Sequence, residues 1–377
     1  MAVDTLIITY DKFPQGDAGS VRCECLAKIL LANGLFPLVI GMGRGDKSGI
    51  YANIPYYSLF DEHGGKRNYV WFHQKLKIYL DTLQISYIVL VNPPLPAWIY
   101  LKHYCRKKHV ILLHDSVEWY SKEQFKRGRL SYFYLEKTLE NRFLVKNMRV
   151  IAISQYLYDY YTAKNIPCLR IPVILDKEEF PVKKKEHGKV CFQYAGTPGK
   201  KDYLDAMMNA FALWKKEDLQ DIEIHLYGVR DDQLKALLDE ACYEKLKPHV
   251  LCHGRVSRNE VLEAYSQCDY TMLYRDPSLR YAKAGFPTKV VESLMSGVPI
   301  VTNISSDLGK YLEDEKNAVL CKENTTVAFS KALQRAYMLH KKGEYPQLSM
   351  NARKLAEEAF DYRLYEEDLQ KFMKESV

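Results

Sequence analysis

Lys289 and Glu292 stand one helical turn apart, directly behind the turn Gly285-Phe286-Pro287 in the stretch YTMLYRDPSLRYAKAGFPTKVVESLMSGVPIVTN. A cation and a carboxylate at that spacing suit a ligand that carries both a phosphate and a diol. Val290, Val291, Leu294 and Met295 recur at helical spacing, so the pair is expected on a helix over 288–295. Glycine relaxes the backbone at the turn, and proline beside the first helical position costs no intrahelical bond. The unpaired N–H groups and positive dipole end of such a helix attract anions.

Two other loops have residues that could serve the same chemistry. After an apolar run at 190–194, AGTPGKKDYL places Gly196 and Gly199 in a loop with Lys200 and Lys201 behind them. Several positive groups gathered around a phosphate-bearing ligand would offset its negative charge. Near the start, DKFPQGDAGSVR places Gly16 and Gly19 between a strand and a helix. Taken alone this is weak evidence for phosphate binding, because tight strand–helix turns use glycine for steric reasons. His114 and Asp115 follow the apolar run 110–113, where a lone histidine is more often structural than chemical.

The elements that must hold these residues alternate. Apolar runs at 6–10, 36–40, 87–91, 110–113 and 149–153 are separated by helical stretches, and 190–194, 222–229, 270–274 and 298–302 repeat the alternation. Alternation of this kind predicts doubly wound parallel sheets with sites at the carboxyl ends of the strands. The segment PVKKKEHGK at 181–189 is charged and lacks apolar periodicity, so it reads as a linker between two domains.

The pattern GFPTKVVESLMSGVPIVTN resembles the donor-binding segment of the family 4 retaining glycosyltransferases, which have the GT-B fold. The resemblance implies an α/β protein of two Rossmann-like doubly wound domains facing a cleft, with a C-terminal helix crossing back to the N-terminal domain. The expected boundaries are 1–180 with the returning 361–377, the linker 181–189, and a donor-binding domain at 190–360. In that family a Glu-x7-Glu motif opens the helix, and its second glutamate, matched by Glu292, holds the ribose of a nucleotide sugar. The first glutamate is replaced by Ala284, with Lys283 or Lys289 as neighbours able to supply another contact.

The same resemblance implies roles elsewhere. Lys201 or Lys200 matches a lysine that grips the diphosphate; Thr197 stands where the family has an arginine, with Arg255, Arg275 or Arg280 as candidates to compensate. Gly254, Arg255 and Val256 match the place where backbone groups meet the nucleobase. His114 matches a histidine that contacts the donor sugar. The expected site is therefore His114, Lys201 and Lys289 in catalysis. Donor binding falls to Gly196, Thr197, Lys200, Gly254, Arg255, Val256, Arg280, Gly285, Phe286, Pro287, Thr288 and Glu292. Gly16, Gly19 and Asp115 form an acceptor or phosphate loop. The implied reaction moves a sugar from a nucleoside diphosphate to a hydroxyl of a glycan or lipid-linked acceptor with retention, in polysaccharide or glycoconjugate assembly. No cofactor is expected, and with no Asp-x-Asp triplet in the sequence no phosphate-bridging metal is indicated. Two rivals stand beside this reading: a sugar-nucleotide epimerase of the same fold, and a degenerate GT-B protein that binds without turnover.

Bulk properties are compatible. The 377 residues are 47% hydrophobic and 27% charged, which fits a globular chain long enough for two cores. Nine cysteines, an odd number with no metal-ligand or redox spacing, point to a reducing cytoplasm. MAVDTLIITYDKF has no basic leader region and reads as a first strand. Residues 101–150 hold 12 Lys/Arg against 5 Asp/Glu, an excess equal to the net +7 of the whole chain. Within it, 121–147 reads most plainly as a surface helix with Leu135, Leu139, Phe143 and Leu144 facing the core. The sharper reading is peripheral contact with an anionic membrane at its inner face. No nucleic-acid recognition motif accompanies the basic surplus.

Overall fold

Short runs of Ile, Leu and Val such as LIIT and YIVLV have no polar alternation, the mark of strands covered on both faces. In the computed structural model they are the centres of two sheets. The structure describes residues 3–14, 16–42, 48–60, 65–180, 188–199 and 201–375. The chain divides into two compact units, Met1–Leu175 with Asp361–Val377, and Asp176–Phe360. Of the expected linker, 181–187 lies outside the described residues.

The first unit holds β1 (Thr5–Lys12), β2 (Pro37–Met42), β3 (Ser48–Tyr51), β4 (Ile54–Phe60), β5 (Tyr87–Val91), β6 (Ile111–Ser116), β7 (Arg149–Ala152) and β8 (Cys168–Arg170). Their order across the sheet is β3-β4-β2-β1-β5-β6-β7-β8, parallel apart from the β3–β4 hairpin at one edge. The second unit holds β9 (Val190–Ala195), β10 (Ile222–Tyr227), β11 (Val250–Gly254), β12 (Tyr270–Leu273), β13 (Ile300–Asn303) and β14 (Val319–Cys321). These six run parallel in the order β11-β10-β9-β12-β13-β14. Strand order reverses between β1 and β5 in one sheet and between β9 and β12 in the other. Crevices open at such reversals, outside the carboxyl ends of the strands.

The tail returns to the first unit. Leu175 and Asp361 form a parallel bridge, the Tyr362 amide donates to the Leu175 carbonyl at 3.0 Å, and Asn33 Nδ2 donates to the Glu366 carbonyl at 2.9 Å. The helix Glu366–Lys374 buries Leu369, Phe372 and Met373, while Arg149 donates to the carbonyls of Phe372 and Glu375.

The segment 121–147 departs from its expectation. It is two 3₁₀ turns, a helix at Tyr132–Leu139, and a π-helical turn at Glu140–Leu144. Its apolar stripe faces outward: Leu135 is 45% exposed, Leu139 42% and Phe143 63%, whereas Glu136, Lys137, Glu140 and Asn141 are buried. The inversion holds because the polar face is bonded. Lys137 Nζ donates to Glu140 Oε2 at 2.7 Å and to Asn92 Oδ1 at 2.9 Å. Asn141 Oδ1 accepts from the Tyr161 hydroxyl at 2.8 Å, and its Nδ2 donates to the Glu118 carbonyl at 3.1 Å. A buried polar face is tolerable only when its members satisfy one another, a condition that apolar spacing does not reveal.

Candidate donor site and its companion loops

At the carboxyl ends of β9, β10 and β11, three glycines lean on one another. The Gly196 amide donates to the Tyr227 carbonyl at 2.9 Å, and the Gly228 amide donates to the Gly254 carbonyl at 2.6 Å. Gly228 has φ +84°, and a Cβ there would lie 2.6 Å from the Gly196 carbonyl oxygen, so only glycine fits. A Cβ at Gly196 would fall 2.5 Å from Lys289 Nζ and 2.7 Å from the Tyr194 hydroxyl. The ammonium of Lys289 therefore reaches the glycine loop itself.

Lys289 rises from the first turn of the helix Thr288–Met295, whose N-cap is Pro287 and which no side chain caps among the described residues. The launching turn is anchored by Phe286, buried against Tyr311 (ring centroids 5.9 Å apart) and Phe360 (5.6 Å). The Gly285 amide donates to the Tyr281 carbonyl at 3.0 Å. Lys289 Nζ lies 4.5 Å from the centre of the Tyr194 ring and donates to Asp202 Oδ2. Arg275 Nε donates to Asp202 Oδ1 at 2.7 Å, and the Tyr194 hydroxyl donates to Oδ2 at 3.1 Å. Burial alone would raise the Asp202 carboxyl, but Lys289 and Arg275 outweigh it and hold the group below the usual carboxylate range.

One turn along, Glu292 is largely buried, and burial raises its pKa against the opposing pull of Arg258 and Lys289. Arg258 Nε stands 3.6 Å from Glu292 Oε1, and Arg258 Nη1 bonds Glu179 Oε2 at 3.2 Å. The Arg258 guanidinium lies over Phe180 at 5.9 Å. Ala284, at the position of the first family glutamate, is fully buried.

The structure thus brings Gly196, Lys289 and Glu292 together with the Gly285, Phe286, Pro287 and Thr288 turn. Gly254 belongs to the glycine stack; Val256 beyond it is half-buried and Arg255 is exposed. Thr197 is exposed, and Arg280 opens the short helix Arg280–Ala284. Lys201 accepts the Tyr281 hydroxyl on its backbone carbonyl at 2.7 Å, while Lys200 lies outside the described residues. Sequence reasoning missed Asp202, Tyr194, Arg258 and Glu179. An Asp ahead of a helix reads as a cap, and Arg258 is hidden in the capping box that Ser257 and Glu260 form.

In the first unit β6 runs on to Ser116, so His114 and Asp115 lie within the strand rather than past its end. Asp115 is fully buried and takes Arg22 Nε at 2.6 Å and Nη2 at 2.7 Å. Arg22 also donates to the carbonyls of Pro172 (2.6 Å) and Ile171 (3.1 Å). Asp115 is a strut, not an open ligand. His114 is 1% exposed and packs edge-on to Trp98, ring centroids 4.4 Å apart. Its ring nitrogens make no geometrically sound hydrogen bond among the described residues, although Asn141 and the Leu90 backbone are close. Burial, with Lys137 nearby, pushes its pKa well below 6.5, so the ring is neutral.

The Gly16–Gly19 loop is a steric device: a Cβ on Gly16 would strike the Lys12 carbonyl, and one on Gly19 the Asp11 carboxylate. Asp17 Oδ1 already caps the helix Ala18–Ala32 through the Gly19 amide at 3.2 Å. Two carboxylates at that helix end oppose an incoming phosphate. Burial, with Asp17 nearby, pushes Asp11 up to about 6.

Residues 176–355 match the family described as Glycosyl transferases group 1. That match spans nearly all of the second unit, and the chain as a whole has the GT-B fold. Sucrose-phosphate synthase from Thermosynechococcus elongatus superposes with a TM-score of 0.74 at 13% identity, covering 98% of each chain. Anabaena HepE, solved with UDP-glucose, gives 0.67 at 15% identity over 98% of each chain. WaaG, a glycosyltransferase involved in lipopolysaccharide biosynthesis, gives 0.68 at 13% identity over 99% of this chain and 100% of its own. No curated protein matches the sequence closely enough to count as a relative. Among the described residues no helix is long and apolar enough to cross a membrane.

Proposed function

We propose that the protein transfers a sugar, with retention and without a metal, from a nucleoside diphosphate sugar to a hydroxyl of a glycan or lipid-linked acceptor. The observation that carries this is the N-terminus of the helix Thr288–Met295 at the β9–β12 reversal, uncapped by side chains among the described residues, with Lys289 in its first turn and Glu292 one turn on. The helix end and Lys289 would hold the diphosphate and offset its growing charge as the glycosidic bond breaks, and Glu292 would accept the ribose hydroxyls. Lys201 and backbone groups from Gly254 to Val256 complete the donor set. His114, neutral and buried, would act on the sugar only through groups around it. HepE was solved with UDP-glucose, which favours a uridine nucleotide as the first donor to try.

The test is a transfer and donor-hydrolysis assay with UDP-sugars, with and without EDTA. Glu292→Ala should raise donor KM about ten- to hundred-fold, the cost of losing hydrogen bonds to a charged group. Unchanged kinetics in Glu292→Ala and Lys289→Ala together would overturn the site. Metal-free activity is the expected EDTA result.

The outward stripe of Leu130, Phe133, Leu135, Leu139 and Phe143, set among Lys126, Arg127, Arg129 and Arg142, supports work at the cytoplasmic face of an anionic membrane. Vesicles containing anionic lipid should pull the protein down, neutral vesicles should not, and Phe133→Asp with Phe143→Asp should release it. Equal sedimentation with both vesicle types would sink the membrane role.

A further inference from the structure

The arginine that family resemblance expects at position 197 is a threonine, so the diphosphate lacks one of its customary cations. Three arginines lie near enough in sequence to compensate, and the geometry separates them. Arg255 is exposed beyond β11, and Arg280 opens the next helix along. Arg275 instead leaves the carboxyl end of β12, on one side of the strand reversal, directly opposite the glycine loop that leaves β9. Its backbone is latched in place: its amide donates to Asn303 Oδ1 at 3.0 Å, and Asn303 Nδ2 donates back to its carbonyl at 2.6 Å. The neighbouring Tyr274 carbonyl accepts the Tyr203 amide at 3.0 Å, tying the same loop to the segment that carries Asp202.

We propose that Arg275 supplies the second phosphate-binding cation that Thr197 lacks, and that Asp202 is the positioning residue that aims it alongside Lys289. The inference rests on the donor site proposed above. Asp202 takes Lys289 on Oδ2 and Arg275 on Oδ1, so one carboxylate spaces the two cations. Arg275 spends only Nε on that bond, and its Nη1 and Nη2 take no partner among the described residues. That leaves a planar pair of donors, the geometry that grips phosphate oxygens in a bidentate manner. At Asp202 itself two cations share one carboxylate, so a diphosphate arriving there would meet both. Because the cations are already oriented, little side-chain entropy is lost on binding.

The experiment is calorimetric titration of the full chain with UDP, GDP and ADP, followed by variants with the tightest of the three. Arg275→Ala and Arg275→Gln should each weaken binding about ten- to hundred-fold, the range for a lost charge-assisted hydrogen-bond pair. Thr197→Arg added to Arg275→Ala should restore most of the affinity, since it returns a cation to the family position. Asp202→Asn should weaken diphosphate binding more than binding of the mononucleoside alone, a difference a merely structural role would not produce. Thermal melts of the free variants identify any that fail to fold, and Arg275→Gln, which retains a donor for Asp202, guards against that outcome. Unchanged affinity in both Arg275 variants, or loss that Thr197→Arg does not rescue in a folded protein, would overturn the inference while leaving the donor site standing. Failure of the wild-type chain to bind any of the three nucleotides would overturn the donor site and this inference together.

Discussion

Asp115→Asn removes the one carboxylate paired with Arg22 among the described residues. The carboxylate is fully buried, and its two oxygens take Nε and Nη2 of Arg22, itself 5% exposed. The guanidinium stays bonded to the carbonyls of Ile171 and Pro172, which supply dipoles but no charge. Breaking a buried ion pair by neutralising one partner costs about 3–5 kcal/mol, most of it the uncompensated charge left behind. For a folding unit of this size each kcal/mol moves the midpoint by about 2–4 °C, so the transition of the first unit should fall by roughly 6–20 °C. Differential scanning calorimetry of the full chain, with saturating nucleotide to mark the second unit, separates the two transitions. Donor hydrolysis measured below the shifted midpoint should keep its wild-type KM. A variant that melts within about 2 °C of wild type yet loses transfer to acceptor would refute the strut and restore Asp115 as a ligand.

Three shorter predictions follow from the same geometry. Asp11 has its pKa raised to about 6 in the fold, so its contribution is fully present below the unfolded value near 4 and is lost as pH rises through 6. Asp11→Asn should therefore gain up to about 3 kcal/mol over wild type at pH 8 and little at pH 4, read from urea unfolding at both pH values; an equal shift at both would rule the ionisation out as cause. Gly196→Ala would place a methyl against Lys289 Nζ and the Tyr194 hydroxyl, and should cut nucleotide affinity while moving the melting point by only a few degrees; unaltered titration curves would contradict the closeness of that loop to Lys289. His114 is held neutral by burial, so kcat against pH should show no inflection in the ordinary histidine range. An inflection near 6.5 that disappears in His114→Phe would contradict this.

Much of this organisation is legible in the residues. The helix over 288–295 and the strand at 87–91 fall where apolar spacing puts them, because a helix with one buried stripe and a strand buried on both faces leave strong periodic signatures. Strand ends are less legible: β6 runs on through His114 and Asp115 because Arg22 neutralises the aspartate inside the fold, and a distant partner leaves no local mark. The hairpin β3–β4 escapes for a similar reason, since SGIY and IPYYSLF are short and mixed in polarity. The inverted helix at Tyr132–Leu139 is the plainest failure. Its stripe of leucines is real, but which side faces inward was decided by a bonded network of Lys137, Glu140, Asn141 and Asn92. The cation pair was half visible, Lys289 from its helix and Arg275 only as one of three candidates, because a shared carboxylate is a fact of three dimensions.

The bridge between Leu175 and Asp361 gives the second unit of the chain the character of a cassette. It departs from and rejoins its host at adjacent points on the backbone, so a few flexible residues joining 175 to 361 would close the host without it. Grafting a different module between the same two anchors would then require two splice junctions beside one another and no rewiring of the host sheet.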